Sequence, residues 1–111
     1  MEYVIGLDLG TSTCKALGVD LQGQVIGSES DQFKTYHPHP GWAEQDPEEV
    51  WKVASRTIQK LVANISGNPL ALGVSAAMHS LMLVDSEGKP LTSAAIWSDQ
   101  RSVIQATRLR E

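Results

Sequence analysis

The sequence predicts an α/β fold in which an antiparallel meander of three strands leads into a mixed sheet with a packed helix. Three short apolar segments come first, separated by glycine-containing or polar reversals, and this pattern is typical of consecutive antiparallel strands. A long amphipathic segment and another apolar segment follow, which is the order of a crossover connection between parallel strands. With 111 residues, of which 41% are hydrophobic and 20% charged, the chain can build one core.

The meander occupies the first thirty residues. Its opening apolar run includes a single charge, Asp8, near the end that precedes Gly10, and this composition predicts a strand buried on both faces. An Asp-x-x-Gly turn beginning at Asp20 separates the second strand from the third, and the same turn pattern recurs at Asp85. The three predicted strands are residues 3–9, 15–20 and 25–30.

A helix is predicted over residues 47–66. Asp46 is suited to the N-cap position, and Pro47 to the first helical position, with two acidic residues behind it. Apolar residues then recur at helical spacing along one face, so this helix is expected to cover a sheet. Trp42 and Trp51, on either side of the helix start, are interpreted as packing residues.

The other segments are shorter. Residues 34–47 are rich in proline and are predicted to form an irregular connection. A last helix is predicted to begin at Asp99 or Ser102, and because no stop signal follows it, we expect the chain to be part of a longer domain. Further strands are predicted at residues 70–76, which return parallel to the first strand, and at residues 81–85, 90–91 and 94–97.

Charge and composition exclude several classes of protein. Nine basic residues against thirteen acidic ones give a net charge of −4, which argues against a nucleic-acid partner. The longest apolar run, residues 70–78, is too short to span a bilayer, so no membrane partner is expected. Cys14 is the only cysteine, so no intrachain disulfide can form, and we expect a cytoplasmic location.

The chemically informative segment is residues 8–15, at a strand–turn–strand junction. Its glycine allows close approach of an anion, and its hydroxyl and backbone N–H groups can surround phosphate oxygens. Lys15 adds a cation, and Asp8 can hold Mg²⁺ through water. The same residues also fit a polar β-turn with a salt-bridged aspartate, and local chemistry alone does not separate the two. The candidate cofactor-binding residues are Gly10, Thr11, Ser12 and Thr13.

Four segments in order carry a resemblance to a known family. Residues 8–15 (DLGTSTCK) resemble the first phosphate motif of the actin, Hsp70 and sugar-kinase superfamily, which has a ribonuclease H-like fold. Residues 41–51 (GWAEQDPEEVW) are similar to the segment before the first helix in the FGGY family of carbohydrate kinases. Residues 75–80 (SAAMHS) and 95–101 (AIWSDQR) complete the set. The resemblance covers the whole chain, but only the beginning of such a kinase.

The resemblance implies ATP-dependent phosphorylation of a sugar, polyol or sugar acid in a cleft between two domains. The chain, residues 1–111, corresponds to the N-terminal portion of the first kinase domain; the rest of that domain and the second, nucleotide-binding domain lie outside it. Asp8 and Lys15 are the implied catalytic residues, with Asp8 also the site of Mg²⁺. The family's general base and adenine pocket lie outside this chain, so we expect the fragment alone to be inactive.

The resemblance also implies where the acceptor binds. Met78 and His79 resemble the dipeptide that meets substrate hydroxyls, and Trp97 resembles the aromatic residue that packs on the carbon chain. Asp99 and Arg101 are its polar neighbours. Xylulose-kinase relatives have Gly-Gln where this chain has two alanines, residues 76–77, and the segments around both motifs look most like gluconate-kinase members. Gluconate is therefore the expected acceptor, with xylulose or another polyol as the alternative.

Simpler interpretations stay open for each candidate. Met78 fits core filling, His79 a histidine with its hydrogen bonds satisfied, Trp97 packing beneath the last helix, and Arg101 a surface salt bridge. The whole chain also fits a non-catalytic module that retains the fold. A ribonuclease H-type nuclease is disfavoured by the negative charge. A partial domain leaves a sheet edge uncovered, which favours self-association.

Overall fold

The computed structural model describes all 111 residues as six strands and two helices. They are β1 (Glu2–Leu9), β2 (Thr13–Asp20), β3 (Val25–Gln32), β4 (Glu44–Gln45), α1 (Pro47–Asn64), β5 (Asn68–Ala76), β6 (Ala94–Ala95) and α2 (Val103–Arg108). The chain forms two compact units, residues 1–33 with 48–77 and residues 34–47 with 78–111. Neither helix has the length and apolar character that crossing a membrane requires.

The first unit contains a four-stranded mixed sheet in the order β3-β2-β1-β5. The pairs β1–β2 and β2–β3 are antiparallel, whereas β1 and β5 are parallel. This confirms the predicted meander, the mixed sheet and the crossover through the helix. In the register of β1, Asp8 lies between Lys15 of β2 and Ser75 of β5.

The core lies between one face of this sheet and α1. Every second residue of β1 is buried on that face, and Leu61 and Thr57 of α1 are completely buried. The prediction that the first strand is buried on both faces is wrong, because within these residues no element covers the other face. Asp8 is consequently exposed. The core residues that cluster here are Tyr3, Ile5, Leu7, Cys14, Ala16, Phe33, Val53, Ala54, Leu61 and Ile65.

The helix begins at Pro47 as predicted and ends at Asn64, two residues early. Trp51 is 69% exposed, so its interpretation as a packing residue is wrong. It precedes the buried Val53 by two positions, or about 200° around the helix, which places the two on opposite faces.

The strand β5 forms an open edge of the sheet. All nine of its residues are exposed, and Leu72 and Val74 are 49% and 59% exposed although they are in register with the buried Ile5 and Leu7. The uncovered edge and face agree with a partial domain, and self-association through them stays a prediction.

The two Asp-x-x-Gly turns have the same structure. Oδ1 of Asp20 accepts hydrogen bonds from the backbone N–H groups of Gln22 and Gln24, and Oδ1 of Asp85 accepts them from Glu87 and Lys89. The predicted turn chemistry is confirmed. Around the second turn, however, the chain forms only isolated bridges, so the strand predicted at residues 81–85 is not formed.

The second unit is built on a small sheet. β4 pairs with β6, Tyr36 bridges to Glu44, and Leu81 bridges to Ala95 on the other side of β6. β6 is shorter than the strand predicted at residues 94–97, and β4 lies within the connection predicted to be irregular. Ser102 occupies the N-cap of α2 without a side-chain capping bond.

Candidate functional site

The turn between β1 and β2 is held by a short backbone bond. The N–H of Gly10 donates to the carbonyl oxygen of Thr13 at 3.0 Å, and the carbonyl oxygen of Ser12 accepts from the N–H of Phe33 at 3.1 Å. A Cβ at Gly10 would stand 3.1 Å from the carbonyl oxygen of Thr13, so glycine keeps this turn tight. Residues 11–13 are exposed, which leaves the hydroxyl-bearing loop open to a ligand.

Asp8 and Lys15 are cross-strand partners beside this turn. Both side chains are exposed, and neither makes a hydrogen bond or a salt bridge. The chain therefore does not form the alternative structure, a polar turn with a salt-bridged aspartate. The carboxylate and the ammonium group are both available to a bound ligand.

An open hollow of about 500 Å³ lies on the same face of the sheet. Gly6 and Gly73 are neighbours in the β1–β5 register, and a Cβ on either would meet nothing within 4 Å. The missing side chains create the depression next to Asp8. Its lining consists of Gly6, Leu7, Asp8, Lys15, Leu17, Gly73, Val74 and Ser75.

The donor set fits Mg²⁺ bound largely through water. Mg²⁺ in phosphoryl-transfer sites usually keeps several waters and is held by one or two carboxylates together with substrate phosphates. Asp8 supplies one exposed, unpartnered carboxylate beside the loop. No group of three or more His, Cys, Asp or Glu side chains forms a cage for a metal anywhere in the chain. The site thus fits a metal that arrives with the phosphates.

Met78 and His79 belong to the second unit and follow the end of β5 closely. Met78 is 70% exposed, which excludes its interpretation as core filler within this chain. His79 is exposed and has φ 64°, the only non-glycine residue with positive φ. Left-handed backbone is costly for a residue with a Cβ, and such strain concentrates at binding and catalytic sites.

The pairing of Leu81 with Ala95 relates His79 to Trp97. The bridge is antiparallel, and His79 lies two positions before Leu81 while Trp97 lies two positions after Ala95. Both residues therefore lie past the same end of this pairing. Trp97 is also exposed, at 58%.

Asp99 and Arg101 bind each other. Arg101 donates from Nε to Oδ2 of Asp99 and from Nη2 to Oδ1, both at 2.8 Å, and Nη2 also donates to Oε2 of Glu44 at 2.8 Å. The guanidinium carbon lies 3.8 Å from the ring centre of Trp42. The hydrogen bond from Arg101 holds the pKa of Asp99 far below its usual value, and the two carboxylates raise the pKa of Arg101.

The predicted site residues thus fall into two groups. Asp8, Lys15 and the loop of residues 10–13 lie together in the first unit, while the five candidate acceptor residues lie in the second. Sequence reasoning did not identify Ser75 or the two glycines of the hollow as neighbours of Asp8, nor Glu44 as a partner of Arg101. The parallel register and a contact between distant segments create these neighbours, and no local pattern signals either.

Comparison with known proteins relates the whole chain to one group of enzymes. The sequence profile of the N-terminal domain of the FGGY family of carbohydrate kinases matches residues 3–111. The chain is 39% identical over 113 residues to the xylulose kinase of Staphylococcus epidermidis, an alignment that covers 99% of this chain and 23% of that relative.

Two solved structures extend the comparison. The xylulose kinase from Rhodospirillum rubrum aligns with a TM-score of 0.92 at 32% identity, over 97% of this chain and 23% of that chain. The gluconate kinase from Lactobacillus acidophilus aligns with a TM-score of 0.89 at 31% identity, over 98% and 23%. These alignments confirm the predicted ribonuclease H-like fold class. The 111 residues correspond to 23% of the length of each of these three relatives.

Proposed function

Because the chain belongs to the FGGY family of carbohydrate kinases, we propose that it is the N-terminal portion of the first domain of an enzyme that transfers a phosphoryl group from ATP to a hydroxyl of a sugar, polyol or sugar acid. The observation that carries this proposal within the chain is the exposed loop of residues 10–13 beside an unpartnered Asp8 and Lys15. A loop that served only as a turn has no need to leave a carboxylate and a cation unpaired on neighbouring strands.

On this proposal the β1–β2 loop holds the phosphates of ATP. Hydroxyl and backbone N–H groups of the loop donate to phosphate oxygens, and Lys15 adds a positive charge. Asp8 would hold Mg²⁺ through water, and the cation would offset the charge of the phosphates. The loop residues assigned to the nucleotide are Gly10, Thr11, Ser12 and Thr13.

The acceptor is assigned to the second unit. Met78 and His79 present a thioether and an imidazole to the solvent, and Trp97 supplies an exposed apolar wall. A polyol needs a few directed hydrogen bonds and one apolar surface, and these three residues supply both. The roles of Asp99 and Arg101 as polar neighbours of the acceptor belong to the same proposal.

Two acceptors are proposed, on different grounds. Xylulose is supported by the relatives, since curated proteins at 36–39% identity are xylulose kinases. Gluconate is supported by Ala76 and Ala77, which stand where the resemblance to xylulose kinases expects Gly-Gln, and by the gluconate kinase among the structural neighbours. A phosphorylation screen of the intact enzyme with xylulose, gluconate and glycerol decides between them.

The phosphate role of the loop is tested with Asp8→Asn in the intact enzyme. We expect kcat to fall about a hundredfold while the dissociation constant of the acceptor changes by less than about twofold, because the carboxylate acts on the nucleotide side. Asp31→Asn is the matched control, since Asp31 also lies on a strand of the first unit but is bonded to Arg56. An equal loss of turnover and acceptor binding in Asp8→Asn would mean that Asp8 supports the fold instead.

A non-catalytic module that retains the fold is the competing interpretation. It predicts that the intact protein binds no Mg-ATP in a calorimetric titration, whereas the kinase proposal predicts saturable binding that the Asp8→Asn substitution weakens. The 111 residues alone are expected to give no sugar-dependent release of ADP.

A further inference from the structure

Each of the four residues of the segment Gly41–Glu44 contacts the segment Ala95–Arg101. The carbonyl oxygen of Gly41 accepts from the N–H of Gln100 at 2.7 Å, and Trp42 lies under the guanidinium of Arg101. Glu44 pairs with Ala95 through the backbone and with Arg101 through its carboxylate. The beginning of the motif at residues 41–51 is therefore attached to the motif at residues 95–101 inside the second unit.

Ala43 holds both ends of the turn that carries Trp97. The turn is closed by a hydrogen bond from the N–H of Asp99 to the carbonyl oxygen of Ile96, at 2.9 Å. At its first residue, the N–H of Ile96 donates to the carbonyl oxygen of Ala43 at 3.1 Å. At its last residue, Oδ1 of Asp99 accepts from the N–H of Ala43 at 2.7 Å. Trp97 is the second residue of this turn, so its backbone is fixed from both sides.

Arg101 completes the attachment by pairing with both carboxylates involved, those of Asp99 and Glu44. The guanidinium of Arg101 donates to both carboxylate oxygens of Asp99, and one of these oxygens also accepts from the N–H of Ala43. Nη2 of Arg101 also donates to the carboxylate of Glu44. The side chain of Asp99 is only 7% exposed, and that of Arg101 is 31% exposed. A carboxylate so little exposed is costly unless it is paired. Trp42 adds a flat surface on which the guanidinium rests, and the rings of His39 and Trp42 pack in a T-shaped arrangement.

We propose that Arg101 is a positioning residue which, through Asp99 and the segment Gly41–Glu44, fixes the orientation of Trp97 toward the acceptor. This rests on the proposed function, in which Trp97 forms the apolar wall for the carbon chain. β6 has only two residues, and the two central residues of the turn after it, Trp97 and Ser98, are exposed, so its own hydrogen bonds give this turn little rigidity. The attachment to Gly41–Glu44 supplies the rigidity that the local structure lacks.

A role in positioning makes a kinetic prediction that a role in stability alone does not. An aromatic wall that moves weakens binding of the acceptor, but it leaves the nucleotide loop of the first unit unchanged. Loss of Arg101 should therefore raise KM for the acceptor more than it lowers kcat, and it should alter the preference among acceptors of different length.

The test is Arg101→Lys in the intact kinase, because lysine keeps the charge but cannot grip two oxygens in a fixed geometry. The matched control is Arg56→Lys. Arg56 also donates through Nε and Nη2 to a single carboxylate, that of Asp31, at 2.9 and 2.7 Å, but it lies on α1. Both variants are measured for KM and kcat with acceptor and with ATP, and for the midpoint of urea unfolding.

We expect Arg101→Lys to raise KM for the acceptor about tenfold, with kcat and KM for ATP within about twofold, and to change the ratio of kcat/KM between xylulose and glycerol. Arg56→Lys should change none of these. If Arg101→Lys yields too little folded protein, Glu44→Gln removes one of the two negative charges that hold the same guanidinium, and the same pattern is expected at a smaller size.

Equal kinetic changes in the two lysine variants, or parallel changes in the acceptor and ATP constants, would overturn the positioning role. An intact wild-type protein that phosphorylates none of the screened acceptors would instead overturn the proposed function. The two failures are therefore distinguishable.

Discussion

His79 combines an exposed imidazole with a backbone that favours glycine, and substitutions can separate the two properties. Its φ of 64° lies in the left-handed region, where a residue with a Cβ pays about 1–2 kcal/mol. Asparagine tolerates this region better than other side chains, and glycine carries no penalty. A series of His79→Gly, His79→Asn and His79→Ala therefore changes backbone strain step by step, while every member removes the imidazole.

The stability order is worked out from these terms. His79→Gly relieves the left-handed strain but makes the unfolded chain more flexible by about 0.5–1 kcal/mol, so the two effects partly cancel. His79→Ala retains the strain and loses no contact in a core, since His79 is exposed. We expect the glycine variant to exceed the alanine variant by up to about 1 kcal/mol in free energy of unfolding, with asparagine between them, as measured by urea unfolding of the intact protein.

The kinetic order should differ from the stability order. If the imidazole hydrogen-bonds an acceptor hydroxyl, its loss costs about 1–2 kcal/mol, which raises KM for the acceptor about 5- to 30-fold in all three variants. Near-wild-type KM in His79→Gly with a high KM in His79→Ala would refute the imidazole contact and assign the role to the backbone. Equal stability of the glycine and alanine variants would refute the argument from strain.

Three further predictions concern the loop, the core and the ion pair. Gly10→Ala places a Cβ 3.1 Å from a backbone oxygen of the loop. In steady-state kinetics it should raise KM for ATP about three- to tenfold and leave KM for the acceptor within about twofold. Leu61→Ala removes a completely buried side chain and should lower the free energy of unfolding by about 2–5 kcal/mol in urea titrations. Because the pKa of Asp99 is lowered in the folded protein, this carboxylate favours folding above its ordinary pKa of 3.8, and that contribution is lost as the pH falls below it. Unfolding midpoints from pH 6 to pH 3 should therefore fall more steeply in the wild type than in Asp99→Asn.

The main elements were predictable because each has a local cause. The apolar segments and their turns identify the meander, and Asp46 with Pro47 identifies the start of α1 at the observed residue. The parallel return strand follows from the length of the crossover. These features depend on residues close together in the chain, and they account for nearly all of the first unit.

The errors arise where a residue's environment depends on distant segments. Asp8 ends an apolar run that fits a buried strand, but its exposure is decided by the absence of a covering element on that face. Trp51 lies near the helix start, but it is two positions from the buried Val53 and therefore lies on the opposite, exposed face of the helix. β4 forms through its pairing with distant residues, Ala94 and Ala95, and neither Glu44 nor Gln45 predicts a strand.

On the proposed function, the ion pair also bears on the choice of acceptor. A sugar acid differs from a ketose or polyol by its carboxylate, and recognition of a carboxylate calls for a cation whose charge is not already offset. Arg101 is the one cation among the candidate acceptor residues, and its Nε and Nη2 groups are directed at Asp99 and Glu44. One guanidinium between two carboxylates leaves this cluster with a net charge of −1, which repels another carboxylate. Gluconate would therefore need a cation outside this cluster. An uncharged acceptor such as xylulose needs no such cation and can bind to His79 and Trp97 alone.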